Sequence, residues 1–267
     1  MLYVRPFLNR SILFFISLIL LNGCDPMSSF KKVIIDSGHI PYANPLAHAR
    51  TGTITGGSPT RMSFISAPET CFPSTDSVGG DTALRFIDQT AAPIRRHESY
   101  FEGSAIVDIK SYLEAANPAA RLNINIKNTK KVHLSLQDME LEYLDAINSE
   151  IFYQEEMREI CHEYLNHYGV ISQVLRAGSI EFRFYKDNNI QVDFSVDNIE
   201  DFIDLEGSLN WRVINNTTLL IENPMNIGYQ LSKMPQSSNG RVTERASKVR
   251  GDNYVFEKAE LFQMLSR

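Results

Sequence analysis

Cysteine and long apolar runs are both scarce in this chain, and each scarcity excludes something. Three cysteines among 267 residues are too few for a disulfide scaffold. A membrane-spanning helix needs roughly 20 apolar residues. The longest apolar run, Ile12 to Leu21, is about half that length. Basic residues are in deficit, 26 against 32 acids, for a net charge of −6. A nucleic-acid partner calls for a concentrated basic stripe. The nearest approaches, Arg95-Arg96-His97 and Lys127-Asn128-Thr129-Lys130-Lys131, are short and sit at expected turns, so nucleic acid is not expected as a partner.

Local catalytic signatures are missing as well. No Gly-x-Ser-x-Gly elbow and no Gly-Lys-Ser or Gly-Lys-Thr phosphate loop occurs. His162 and His167 share a helical stretch, but residues five apart on a helix diverge by about 140°, so they cannot hold one metal from one face. The acidic stretch from Asp197 to Gly207 lacks the ligand spacing and internal glycine of a calcium loop. No catalytic residue, cofactor or metal is therefore assigned.

What is present begins at the amino terminus. Arg5 and Arg10 precede the Ile12–Leu21 run, which has the length of a signal-peptide core. The run ends at Leu21-Asn22-Gly23-Cys24. This segment resembles a lipobox, the site at which a bacterial lipoprotein signal peptidase cuts; no family resemblance extends to the rest of the chain. The resemblance implies that residues 1–23 are a signal peptide and that Cys24 is the lipid-attachment residue. It also implies a bacterial envelope location facing the periplasm, with the lipid bilayer as partner. At about 0.8 kcal/mol per buried methylene, several acyl chains give stable anchoring. Asp25 resembles the sorting residue that retains enterobacterial lipoproteins in the inner membrane. Loss of residues 1–23, with two arginines and no acid, takes the net charge from −6 to −8. With Cys24 acylated, Cys71 and Cys161 remain as an even pair in an oxidising compartment, and a disulfide between them is expected.

Residues 24–80 are rich in Gly, Pro, Ser and Thr, and read as a tether and loosely ordered segment. Residues 81–234 read as an α+β globular domain, and 235–267 as a polar linker with a short carboxy-terminal helix starting near Tyr254. Period-two alternation marks three hairpins: Leu122–Ile126 with Val132–Leu136, Ile180–Phe184 with Ile190–Val196, and Trp211–Ile214 with Leu219–Ile221. Gly103-Ser104, Gly178-Ser179 and Gly207-Ser208 each read as the opening of a strand. Between the first two hairpins, Tyr153, Met157, Ile160, Cys161, Tyr164, Leu165 and Tyr168 form one apolar stripe. The stripe predicts a helix from Ser149, its N-cap, to Tyr168, with Gly169 as its stop. The expected fold is a mainly antiparallel sheet built from hairpins with one long amphipathic helix packed on it.

These features point to a non-enzymatic envelope lipoprotein that binds another envelope protein, sheet edges and the Glu181–Asp193 hairpin being the candidate surfaces. Two alternatives stay open. One is a lipid-anchored hydrolase using Glu181 or Asp193 with one of the histidines, and the other is a toxin or immunity component of interbacterial competition.

Overall fold

The computed structural model describes residues 28–46, 49–73, 84–102, 106, 129–186, 190–191, 211–214, 218–222, 224–233 and 244–258. Two long strands, β6 (Lys131–Leu144) and β7 (Gly169–Tyr185), form an antiparallel pair from Lys131↔Tyr185 to Tyr143↔Gln173. The alternation of Val132, Leu134 and Leu136 puts these side chains on one face, opposite Phe184, Phe182 and Ile180, and all six are buried. Midway, Asp138 adopts φ 51° opposite Gly178, where a Cβ would lie 2.9 Å from the Asp138 Cβ. The pleat changes phase there. Leu136 and Ile180 precede the kink and Met139 and Ala177 follow it, yet all four join the same core cluster. Gly178-Ser179 thus lies inside a strand rather than opening one.

Long strands twist away from their neighbours, and here each long edge takes two shorter strands. On β6, β5 (His97–Glu102) pairs with Lys131–Leu136 and β4 (Arg85–Asp88) with Leu141–Leu144. On β7, β9 (Thr218–Ile221) pairs with Ile180–Arg183, and β10 (Met225–Lys233) with Val170–Ala177. The outer edge of β10 takes β1 (Ile40–Leu46) and then β11 (Glu244–Arg250), which pairs with β12 (Asn253–Lys258). The start of β7 takes β2 (Ile54–Ser58), which pairs with β3 (Arg61–Ser66). With β8 (Trp211–Ile214) beside β9, the described residues form one twelve-stranded sheet, antiparallel throughout. Its two ends meet. The Asp252 carboxylate, at the β11–β12 turn, accepts from Ser58 Oγ at 2.7 Å and from Thr60 Oγ1 at 2.7 Å, and Met62 packs against the same core cluster as Tyr254 and Phe256.

The third hairpin is present as β8–β9. The other two are corrected, because both edges of their first-read strands are already taken. Val132–Leu136 lies between β5 and β7, and Ile180–Arg183 between β6 and β9. Leu122–Ile126 and Val192–Val196 fall outside the described residues, and the Tyr185↔Gln191 bridge and the Lys186 N–H donating to the Ile190 carbonyl at 2.7 Å mark the start of the second return.

The long helix is also corrected. Among the described residues the helices are four and short: α1 (Ser28–Asp36), α2 (Pro68–Cys71), α3 (Ala146–Glu155) and α4 (Glu159–His167). The expected helix breaks at 156–158, where the Glu156 and Met157 N–H groups both donate to the Phe152 carbonyl and Arg158 is extended. Two physical causes act there. Glu155 and Glu156 place like charge on the negative end of α3. The Arg158 guanidinium turns away to donate to the Thr70 carbonyl. The N-cap of α3 is Asp145, whose side chain accepts from the Asn148 N–H at 2.7 Å, while Ser149 is buried within the helix. Gly169 has no positive φ; a Cβ there would meet Leu231 at 2.7 Å, so close packing selects the glycine.

The domain reading changes accordingly. The presumed tether supplies α1, β1, β2, β3 and α2, with Ile34, Ile40, Ile54 and Phe72 fully or almost fully buried. In the carboxy-terminal segment, Tyr254 lies in the β11–β12 hairpin instead of a helix.

Candidate functional site: an apolar surface beside the disulfide

The connection from β6 to β7, made by α3 and α4, caps one end of the sheet. Ile54, Phe72, Tyr153, Met157, Cys161, Leu165 and Val170 form its core. Cys71 and Cys161 are joined there by a disulfide across 90 residues, with a Cα–Cα distance of 5.6 Å. This bond and the Arg158 contact hold α2 against α4.

The same end carries a contiguous apolar surface. Ile54 pairs with Ser66 and Thr55 with Phe64, so Ile65 is a bulged residue and is presented outward beside Phe64. Across Gly56 from Ile65 lies the Tyr168 ring, so close that a Cβ on Gly56 would meet it at 3.0 Å. Tyr168 stacks on Tyr164 with ring centroids 6.0 Å apart, and Ile160 lies one turn before Tyr164 on α4. Ile160 is 50% exposed and Tyr164 is 40% exposed. A groove runs along each side of the Ile65–Tyr168 ridge. One, of about 470 Å³, is lined by Arg50, Phe64, Ile65, Pro68 and Glu69. The other, of about 250 Å³, is lined by Ile160, Glu163, Tyr164, His167 and Tyr168.

A buried hydrogen-bond network holds Arg50 on the lining of the larger groove. The Glu142 side chain, at 0% exposure, accepts from Thr51 Oγ1 at 2.6 Å and from Arg50 Nε and Arg176 Nη1 at 3.3 Å each. Arg50 is therefore held in place, though it remains 41% exposed. Desolvation acts to raise the Glu69 pKa, but its own backbone N–H, the Arg85 guanidinium at 3.1 Å and the nearby Arg50 bring it below the usual range. Glu163 lines the smaller groove, and three more acids lie close to it in the chain. Glu155, Glu156, Glu159 and Glu163 are exposed, and none has an ion-pair partner among the described residues.

The residues singled out by sequence are scattered. Cys24, Asp25 and Asp193 lie outside the described residues, as does the 197–207 acidic stretch. Glu181, the first residue of the candidate interaction hairpin and a candidate hydrolase carboxylate, is instead buried in mid-sheet, where it accepts from Gln137 Nε2 at 3.4 Å and pairs with Arg183. His162 lies edge-on to Tyr153 at 4.3 Å, and His167 lines the smaller groove. Among the described residues no three His, Cys, Asp or Glu side chains gather to hold a metal ion. Besides His39, whose Nδ1 lies 3.2 Å from Ser37 Oγ, a histidine reaches a serine on β5, where His97 Nε2 is 2.6 Å from Ser99 Oγ. Residues two apart on a strand share a face, and pleating alone brings these two together. The nearby Glu98 carboxylate is engaged by Arg96 and His133.

Sequence reasoning missed the apolar surface because it counted Ile160 and Tyr164 in the buried stripe. A signal was available. Cys161 and Leu165 lie about 100° around the helix from Ile160 and Tyr164, so the stripe is wider than one packed face.

Comparison with known proteins gives little to set beside this geometry. The sequence matches no protein-family model. It matches no curated protein either. Among solved structures, a bacterial gasdermin from Bradyrhizobium tropiciagri is similar at a TM-score of 0.43 and 12% identity, over 89% of this chain and 92% of that one. A likeness this distant carries no argument about fold or function.

Proposed function

We propose that this protein is a lipid-anchored envelope lipoprotein whose folded part docks a partner protein without catalysing a reaction. The lipobox resemblance at Leu21–Cys24 supports the anchor, and Asp25 favours the inner membrane. The observation that carries the docking reading is the exposed Ile65–Tyr168–Tyr164–Ile160 surface with its two flanking grooves. Large apolar side chains exposed together mark interaction sites more often than scattered single ones do. Disulfide, bulge and the buried Glu142 network all hold this surface in one shape before binding, which lowers the ordering cost of association.

Site-specific photo-crosslinking in cells tests the proposal. A photoreactive residue at position 160 is expected to give one identifiable protein adduct, whereas the same residue at the exposed Val249, on the β11–β12 hairpin, gives none. No adduct at 160, or the same adducts at both positions, would overturn the docking function.

A further inference from the structure

The exposed acids Glu155 and Glu156 end α3, and Glu159 and Glu163 follow on α4, within nine residues of chain. Among the described residues these four carboxylates have no counter-ions, and Glu163 lines the groove that Ile160 and Tyr164 also line. Nearby cations are committed elsewhere: Arg158 to the Thr70 carbonyl, Arg50 and Arg176 to Glu142, and Arg85 to Glu69. The surface thus combines apolar grooves with negative charge that Arg158, the one Lys or Arg between Glu155 and Glu163, offsets only in part. An acidic or purely apolar partner would desolvate these carboxylates without replacing their water.

Resting on the docking function proposed above, we infer that the surface takes a basic amphipathic segment of a partner protein. Its apolar side chains seat in the two grooves on either side of Ile65 and Tyr168. Its lysines or arginines face Glu155, Glu156, Glu159 and Glu163. Charge at such a rim acts mainly on association rate and partner choice, while the apolar anchors set the dissociation rate.

Three designed peptides of equal length serve as probes: one of alternating leucine and lysine faces, one with glutamate in place of lysine, and one of lysine and serine. Fluorescence anisotropy with the disulfide-intact protein reads their binding. The leucine–lysine peptide is expected to bind, and the other two to bind at least about tenfold more weakly. Raising salt from 0.05 to 0.5 M is expected to weaken the leucine–lysine peptide several-fold. The double substitution Ile160→Ser with Tyr164→Ser is expected to weaken it about tenfold.

Charge reversal guards against a variant that has merely unfolded. Glu155→Lys with Glu163→Lys is expected to shift preference to the leucine–glutamate peptide, a gain that an unfolded chain would not show. Lysine at position 155 also suits the negative end of α3. Equal binding of the lysine and glutamate peptides, equal binding of the lysine–serine peptide, or no response to the apolar substitutions would each overturn the inference. A position-160 crosslink to a partner whose contact segment is acidic or neutral would leave docking standing and overturn only the basic assignment. Absence of a position-160 crosslink removes the docking function itself.

Discussion

Glu142 and His39 show how single residues are stabilised where water does not reach. Glu142 is held in its buried place because Thr51, Arg50 and Arg176 all donate to it. His39 is buried and stays neutral at pH 7. Burial lowers its pKa from 6.5 to about 4, the hydrogen bond from Nδ1 to the Ser37 carbonyl at 2.9 Å opposes this, and the Arg245 charge lowers it further. Between pH 6.5 and 4 the unfolded chain therefore binds the proton more readily than the folded one, so stability falls as pH falls through that window. The expected loss from this residue between pH 7 and pH 4.5 is about 2 to 3 kcal/mol. Urea unfolding at the two pH values checks it, since His39→Gln should flatten that part of the pH dependence. An unchanged dependence in the variant would show that His39 is not its source. Neither residue stood out in the sequence, because burial depends on neighbours more than 90 positions away, as Thr51 is from Glu142.

At the scale of elements, the helix pair carries the clearest lesson. The apolar stripe from Tyr153 to Tyr168 correctly marks helix, since both halves are helical, but periodicity holds no record of the break at 156–158. Beyond the local Glu155–Glu156 charge, that break depends on the Thr70 carbonyl, supplied by a distant segment. Cysteine counting did pair Cys71 with Cys161, because only two thiols remain when the lipobox resemblance assigns Cys24 to lipid. The bond closes a loop of 90 residues, and its chain-entropy contribution is roughly 4 kcal/mol. Cys71→Ser with Cys161→Ser is expected to lower the unfolding free energy by up to about that amount. Amide hydrogen exchange should then rise first in α2 and α4, the two elements that the bond joins. Uniform exchange across the sheet would instead mean that the bond acts on the unfolded chain alone.

For the whole molecule, the decisive feature is how early and late segments enter one sheet. Gly56-Gly57-Ser58 read as tether, yet Gly57 turns with φ 85° while Ser58 hydrogen-bonds Asp252, 194 residues away. Composition records that glycine permits flexibility, whereas packing decides whether it is used. The proposed anchor belongs to this scale too. The intact mass of protein extracted from membranes is expected to match a chain beginning at an acylated Cys24, and an unprocessed chain beginning at Met1 would overturn the lipoprotein proposal. Sequence alone determined the antiparallel class, the β8–β9 hairpin and the cysteine pair, because these follow from alternation, turn residues and counting. The split edges of β6 and β7, the broken helix and the apolar surface were decided only by tertiary structure. Each depends on which distant strand occupies an edge or which distant carbonyl accepts a side chain, and local period carries no information about either.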